Sequence, residues 1–301
     1  MTSSPLDPLF ELRCALAQAD AVDPPARLLD NVTLAAFAGR QPGRSLSEPE
    51  SISSTATFER AVGSLDELLG SLAQNDWHRP ALRRLDVQGL LGHMIGVEHA
   101  FQRALDSSSE RTGSSDHVKA TERYALAQRG RAPVDTMSDW QLAARRSVEL
   151  LGGRDISEQV SLHGLALPLD ALLVVRAFEL WTHEEDIRRA TDRELAPPDP
   201  PSLQRMVNLA VRLLPGTLTS LAEGDPAGVR LVLLGEAGGT FDVQLAPGID
   251  GAAGASIVAD TIDFCRLVAN RIPSTDVALS VTGDRAFAER VLAGATALAL
   301  D

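Results

Sequence analysis

Apolar residues recur at helical spacing through the first two thirds of the chain. Phe58, Val62, Leu65, Leu69 and Leu72 lie three or four residues apart, which predicts an amphipathic helix over residues 56–74. The same spacing predicts helices over residues 86–105, 116–130, 136–151 and 169–190. Before them, two short helical patterns in residues 7–38 and a Ser-rich stretch ending near residue 54 indicate a leader and a linker.

The pattern changes after the Pro-rich segment at residues 196–201. A helix is predicted over residues 202–221, and apolar residues then alternate with polar ones, as in strands. The predicted strands and helices are 229–234, 240–245, 256–259, 260–271 (helix), 277–281 and 285–300 (helix). The sequence therefore predicts an α+β multidomain protein with a leader and linker (residues 1–55), a helical bundle (56–195) and a small C-terminal α+β domain (202–301).

The helix predicted over residues 169–190 carries a polar stripe among apolar residues. Glu179 and His183 are four residues apart, so their side chains share one helix face, a spacing that suits two ligands of one metal ion. Arg176 and Asp186 extend the stripe; they are candidates either to orient Glu179 and His183 or to form ordinary salt bridges. Asp170 is expected to cap the helix, and Trp181 to point into a core. Glu184 and Glu185 turn off the stripe and are expected to be solvated.

A second histidine lies on the helix predicted to begin near Asp86. His93 stands among Leu90, Leu91, Met94 and Val97, so it faces a core or its edge. With Glu179 and His183 it would complete two imidazoles and one carboxylate, a frequent catalytic-zinc set. The alternative is that His93 is a satisfied core histidine and Glu179 pairs with Arg176. Spacing alone does not decide between them.

Composition narrows the classes of partner. A formal charge of −13 argues against nucleic acid, which is bound through clustered Lys and Arg. No apolar run approaches the length of a membrane span, and the first residues lack the pattern of a secretory signal, so we expect a cytoplasmic protein without a membrane partner. Cys14 and Cys265 lack metal-type spacing, and we expect Cys265 to be a small buried residue. The oligomeric state is not indicated.

Two segments resemble the paired signatures of a known family. LDVQGLLGHMIGVE (residues 85–98) and ELWTHEEDIR (residues 179–188) resemble those of the mycothiol-dependent maleylpyruvate isomerase family, a branch of the DinB-like four-helix bundles. The resemblance covers residues 56–192, and residues 202–301 resemble the family's C-terminal α+β domain, which is similar to sterol-carrier folds.

The resemblance implies a divalent metal, usually zinc, held by His93, Glu179 and His183, with mycothiol as the thiol cosubstrate. It also implies an assisting arginine from the C-terminal domain, for which Arg266 and Arg271 are the candidates. A set of two histidines and one carboxylate also accepts iron or nickel.

Metal coordination would deprotonate a thiol whose free pKa is about 8.5. The thiolate would then add to a cis double bond and leave, as in an isomerase, or stay on the electrophile, as in a transferase. The partners expected are therefore a small-molecule thiol and an electrophilic substrate. The alternative is a non-catalytic, metal-dependent binding or regulatory module, which would need neither an open coordination position nor an adjacent pocket.

Overall fold

The computed structural model describes residues 49–106, 117–217, 226–245 and 253–298. They belong to one compact unit that runs from Glu48 to Asp301. Most of the predicted leader, together with Cys14, lies outside the described residues. Elements are numbered here within the described ranges.

Five helices fill the first half of these ranges. They are α1 (Ser54–Gly70), α2 (Val87–Asp106), α3 (His117–Ala127), α4 (Pro133–Glu149) and α5 (Leu169–Ala190). Helices α1, α2, α4 and α5 share one apolar core, in which the rings of Phe58 and Phe101 meet edge to face. Helix α3 packs on α2. The predicted helical bundle is therefore confirmed, with element ends that differ by a few residues.

Two short hairpins connect the helices of the bundle. The strands are β1 (Pro80–Leu82) with β2 (Leu85–Asp86), and β3 (Gln159–Leu162) with β4 (Leu165–Pro168), both pairs antiparallel. The second hairpin turns at His163 and Gly164, whose φ angles are 52° and 83°. Two consecutive positive φ values are typical of the tight hairpin turn whose twist matches that of the strands. The turn places His163 at the hairpin tip.

The C-terminal part is a four-stranded sheet covered by helices. Its elements are α6 (Pro200–Thr217), β5 (Gly228–Leu234), β6 (Gly239–Gln244), β7 (Ala255–Asp260), α7 (Thr261–Val268), β8 (Leu279–Gly283) and α8 (Arg285–Ala295), followed by a 3₁₀ turn at Thr296–Leu298. The strand order is β6-β5-β7-β8, with β5 and β7 parallel and the outer pairs antiparallel. The α+β fold class is confirmed, including the predicted β5–β6 hairpin.

Helix α5 belongs to two cores at once. Leu172 and Leu180 lie in the core of the bundle, whereas Val174 and Trp181 lie in the core formed with α6 and the C-terminal sheet. Trp181 is buried, as predicted, and its indole N–H donates to the backbone oxygen of Ala196 at 3.1 Å. A helix buried on both sides has no solvated face on which its polar residues can lie, so each of them needs a partner within the protein.

The start of α5 differs from the prediction. The helix begins at Leu169 with Pro168 as its N-cap residue, and no side chain caps it, so the cap expected at Asp170 is wrong. Pro168 ends β4, and its fixed φ angle leads the chain directly into the helix. Asp170 instead lies within the first helical turn, where its Oδ1 atom is 3.7 Å from Nη1 of Arg205 on α6. None of the helices in the described ranges combines the length and apolar character of a bilayer span.

We expect Gly92→Ala to destabilise the bundle. A Cβ atom at position 92 would lie 2.6 Å from Gln128 Cγ and 2.8 Å from the Tyr124 backbone oxygen, so α2 and α3 would have to separate. Overpacking of this kind lowers the free energy of unfolding by about 1–3 kcal/mol. Urea denaturation followed by circular dichroism measures the change.

Gly63→Ala is the matched control, since Gly63 lies within helix α1 and a Cβ atom there would meet nothing within 4 Å. It should stabilise the protein by about 0.5–1 kcal/mol, because alanine is the better helix former. Equal effects at the two positions would contradict the close packing of α2 on α3.

Candidate metal centre

Three side chains with metal-ligating atoms meet between α2 and α5. His93 of α2 and Glu179 and His183 of α5 each present one ligand-type atom, and these atoms lie within 4.8 Å of one another. The two imidazole rings are nearly perpendicular, with centroids 5.4 Å apart. His93 is 6% exposed and His183 is 1% exposed. The structure thus brings together the three residues that the sequence singled out as ligands.

The His183 ring is held by Asp186, one turn further along α5. The Nδ1 atom lies 3.1 Å from Asp186 Oδ2. A proton on Nδ1, donated to this carboxylate, leaves Nε2 with a lone pair. That Nε2 atom is buried and accepts no hydrogen bond within the described part of the chain. A buried polar atom without a hydrogen bond is unfavourable, and coordination of a metal would satisfy it.

The His93 ring is oriented from the other side of α2. Its Nδ1 atom is 2.7 Å from the hydroxyl oxygen of Thr121 on α3. This contact fixes the ring plane and leaves Nε2 as the second ligand-type nitrogen. Helix α3 therefore contributes to the site although it supplies none of the three ligand-type side chains.

A buried charge network holds Glu179. Arg176 Nη1 donates to Glu179 Oε2, and Arg176 Nη2 donates to Glu98 Oε1 at 2.6 Å. The second oxygen of Glu98 accepts a hydrogen bond from the Ser147 hydroxyl at 2.6 Å. Two carboxylates against one guanidinium leave a single net negative charge beside two imidazoles. A cation at the cluster would balance that charge.

Glu179 is ionised in this environment. Burial alone would raise the pKa of its carboxyl, but Arg176, then His183, His93 and His163, outweigh this effect and hold the pKa at about 2. Conversely, burial lowers the pKa of Arg176, while Glu179 and Glu98 raise it above its ordinary value. The side chain thus offers an anionic oxygen of the kind that binds a divalent metal.

The two candidate arginines lie on the C-terminal side of α5. Arg271 donates from Nη2 to Asp186 Oδ2 at 2.9 Å, the same oxygen that faces His183 Nδ1. Arg266 pairs with Glu185 at 2.7 Å and with Asp263 at 3.3 Å. Arg271 is therefore joined to the ligand set through Asp186, whereas the ion pairs of Arg266 are made with residues outside that set.

Glu184 and Glu185 are not solvated, contrary to expectation. They are 3% and 1% exposed, and they pair with Arg188 and Arg189 at 2.8 and 2.7 Å. The prediction fails because a helical pattern read from one segment cannot include Arg266 and the sheet domain, which cover this side of α5. Cys265 is buried, as predicted, and burial raises the pKa of its thiol.

Three residues near the site carried no spacing signal. His163, at the tip of the β3–β4 hairpin, is close enough to lower the pKa of Glu179. Thr121 and Ser147 are ordinary polar positions on α3 and α4, and only the packed structure shows what they contact. Glu98 could have been found, because it is a carboxylate within a mainly apolar helix segment and so required a buried cation.

The comparisons with known proteins concern the family of the bundle and the fold of the chain. The sequence profile of a family described as the mycothiol maleylpyruvate isomerase N-terminal domain matches residues 58–188. Residues 58–188 belong to this domain family. The resemblance inferred from the two signatures is therefore confirmed, and the matched range contains His93, Glu179 and His183.

Two crystal structures share the fold over a larger part of the chain than the matched domain. One, of a point mutant of the mycothiol-dependent maleylpyruvate isomerase, is 16% identical, with a TM-score of 0.56. Another, of the mycothiol-dependent maleylpyruvate isomerase, is 15% identical, with a TM-score of 0.54. Each alignment covers 77% of this chain and 92% of the other. No curated protein sequence matches the chain at a significant level.

We expect Arg176→Met to be strongly destabilising. It would leave Glu98 and Glu179 without the cation that lies between them, and loss of one partner from a buried ion pair lowers the free energy of unfolding by about 3–5 kcal/mol. Urea unfolding of the metal-free protein measures this loss.

Arg146→Met is the control, because Arg146 forms an exposed pair with Glu149 on α4. Its effect should stay within about 1 kcal/mol. If the two variants were equally mild, the charge network around Arg176 would not be needed for stability.

Proposed function

We propose that the chain is a metal-dependent enzyme that uses a low-molecular-weight thiol, mycothiol, for S-transfer or cis–trans isomerisation of a small electrophile. His93, Glu179 and His183 would hold the metal, and zinc fits a set of two imidazoles and one carboxylate. The observation that carries the proposal is the buried His183 Nε2 atom, which accepts no hydrogen bond in the described residues and belongs to the same cluster as the ionised Glu179.

When bound, a zinc ion supplies Lewis acidity that lowers the pKa of a coordinated thiol. The residues of the chain prepare the site for it. Asp186 keeps the proton of His183 on Nδ1, Thr121 fixes the His93 ring, and Arg176 keeps Glu179 ionised and directed at the cluster. Arg271, through Asp186, acts in this scheme as a positioning residue. Arg266 would hold the same stretch of α5 in place through its hydrogen bond to Glu185.

The competing function is a non-catalytic binding or regulatory module in which the metal stabilises the bundle. The low exposure of His93 and His183 favours this reading, since structural metal sites are closed. A cavity that reaches Glu179 favours the enzyme, because a catalytic site needs room for a substrate beside the metal.

Metal analysis tests the ligand set. The purified protein should hold about one zinc per chain, and His93→Ala and His183→Ala should each lose it, since three protein ligands are the usual minimum of such a site. His99→Ala is the control, because His99 lies on the same helix α2 but contacts Gln102 and Tyr124. A wild type without bound metal would contradict the proposal.

Thiol titration separates the two functions. Mycothiol should bind the zinc-loaded protein and release about one proton, because a thiol must be deprotonated to coordinate a metal. Calorimetry in two buffers of different ionisation enthalpy measures the released proton, and the His183→Ala variant should give no such release. Tightly bound zinc with no response to the thiol would favour the binding module.

A further inference from the structure

A small apolar cavity lies against the flank of α5 that carries Glu179. It has a volume of about 80 Å³ and is lined by residues of α5, α6, the C-terminal end of α7 and the last 3₁₀ turn. Eight of its ten lining residues are apolar, among them Phe178, Leu209 and Leu213. The two polar lining residues are Glu179 and Thr182.

The polar groups of the cavity are already engaged. The Thr182 hydroxyl donates to the backbone oxygen of Glu179 at 2.9 Å. The Glu179 carboxylate accepts from Arg176, which is itself not part of the lining. Within the described residues no arginine or lysine lines the cavity, so Glu179 is its one charged group. A ligand in the cavity would therefore meet apolar residues on most sides, with Glu179 and Thr182 on one.

This composition excludes two kinds of group from the cavity. A carboxylate in the cavity would lose its hydration and would meet no Arg or Lys among the lining residues. Sugar hydroxyls of a thiol such as mycothiol would be buried with few hydrogen-bond partners. Neither an anionic substrate nor the polar part of the thiol fits the space beside Glu179.

We infer that this cavity binds a short, uncharged apolar group of the second substrate, directly beside the proposed ligand Glu179. The inference rests on the proposed function and narrows its substrate class: the electrophile carries a small uncharged alkyl or ring substituent that fits the cavity. Apolar burial supplies the affinity, as in other small-molecule sites, and the metal site supplies the polar contacts.

Saturated probes test the inference without reacting with thiols. The probes are N-butylsuccinimide and N-methylsuccinimide, which are uncharged, and succinate, which is a dianion. Calorimetric titration of the zinc-loaded protein should show N-butylsuccinimide binding at least about tenfold more tightly than either of the other two, because its three extra methylene groups would be buried.

Two substitutions change the size of the cavity in opposite directions. Ala210→Leu fills it and should weaken binding of N-butylsuccinimide by about tenfold or more. Leu213→Ala enlarges it and should shift the preference towards N-hexylsuccinimide. Ala293→Leu is the control, since Ala293 is exposed on α8 and does not line the cavity. Zinc content is measured in every variant, so that a failure to fold is recognised.

The outcomes separate this inference from the proposed function. Succinate binding as tightly as N-butylsuccinimide, or equal effects of Ala210→Leu and Ala293→Leu, would overturn the inference. A protein that binds zinc and mycothiol but shows no preference for the butyl group would overturn it alone. A wild type that holds no zinc would overturn the proposed function, and the substrate role of the cavity with it.

Discussion

The buried guanidinium of Arg176 is the contact on which the candidate site depends. It lies between Glu98 on α2 and Glu179 on α5, so it joins the two helices that carry the ligand-type side chains. Ser147 of α4 adds a third helix through Glu98. Desolvating three charges is unfavourable, and in a purely structural core apolar residues of similar volume would serve as well or better. If Glu179 binds a metal, as we propose, this network holds its carboxylate in place and keeps it ionised.

The need to pair buried charges extends to the C-terminal part of the protein. Because α5 is covered on both sides, Glu185 and Asp186 are met by arginines of α7 and of the turn that follows it. Arg271 holds Asp186, and Asp186 holds His183. The geometry of one ligand-type residue therefore depends on a residue more than 80 positions away, outside the matched bundle family. The candidate site is a property of both parts of the fold.

Part of the candidate ligand set could be predicted from the sequence, because the spacing of two of its residues is a local signal. Glu179 and His183 share a helix face by spacing alone. The convergence of His93 with that pair needed the resemblance to a family, because the relative position of α2 and α5 is a tertiary property. The alternatives considered for Glu179 were also not exclusive: it pairs with Arg176 and faces both histidines.

The failures have one physical origin. Glu184 and Glu185 were expected in solvent, because that expectation treated their helix as if one side faced water and the other a single core. Because α5 is buried on two sides, its polar residues are placed by charge pairing and not by an amphipathic pattern.

Burial of α5 on two sides also limits access to the ligand-type atoms, since His93 and His183 are almost fully buried. Glu179 is the most exposed of the three, and it borders the cavity. Under the proposed function, an electrophile that reached the site from this cavity would pass apolar residues first, and these would favour an uncharged group.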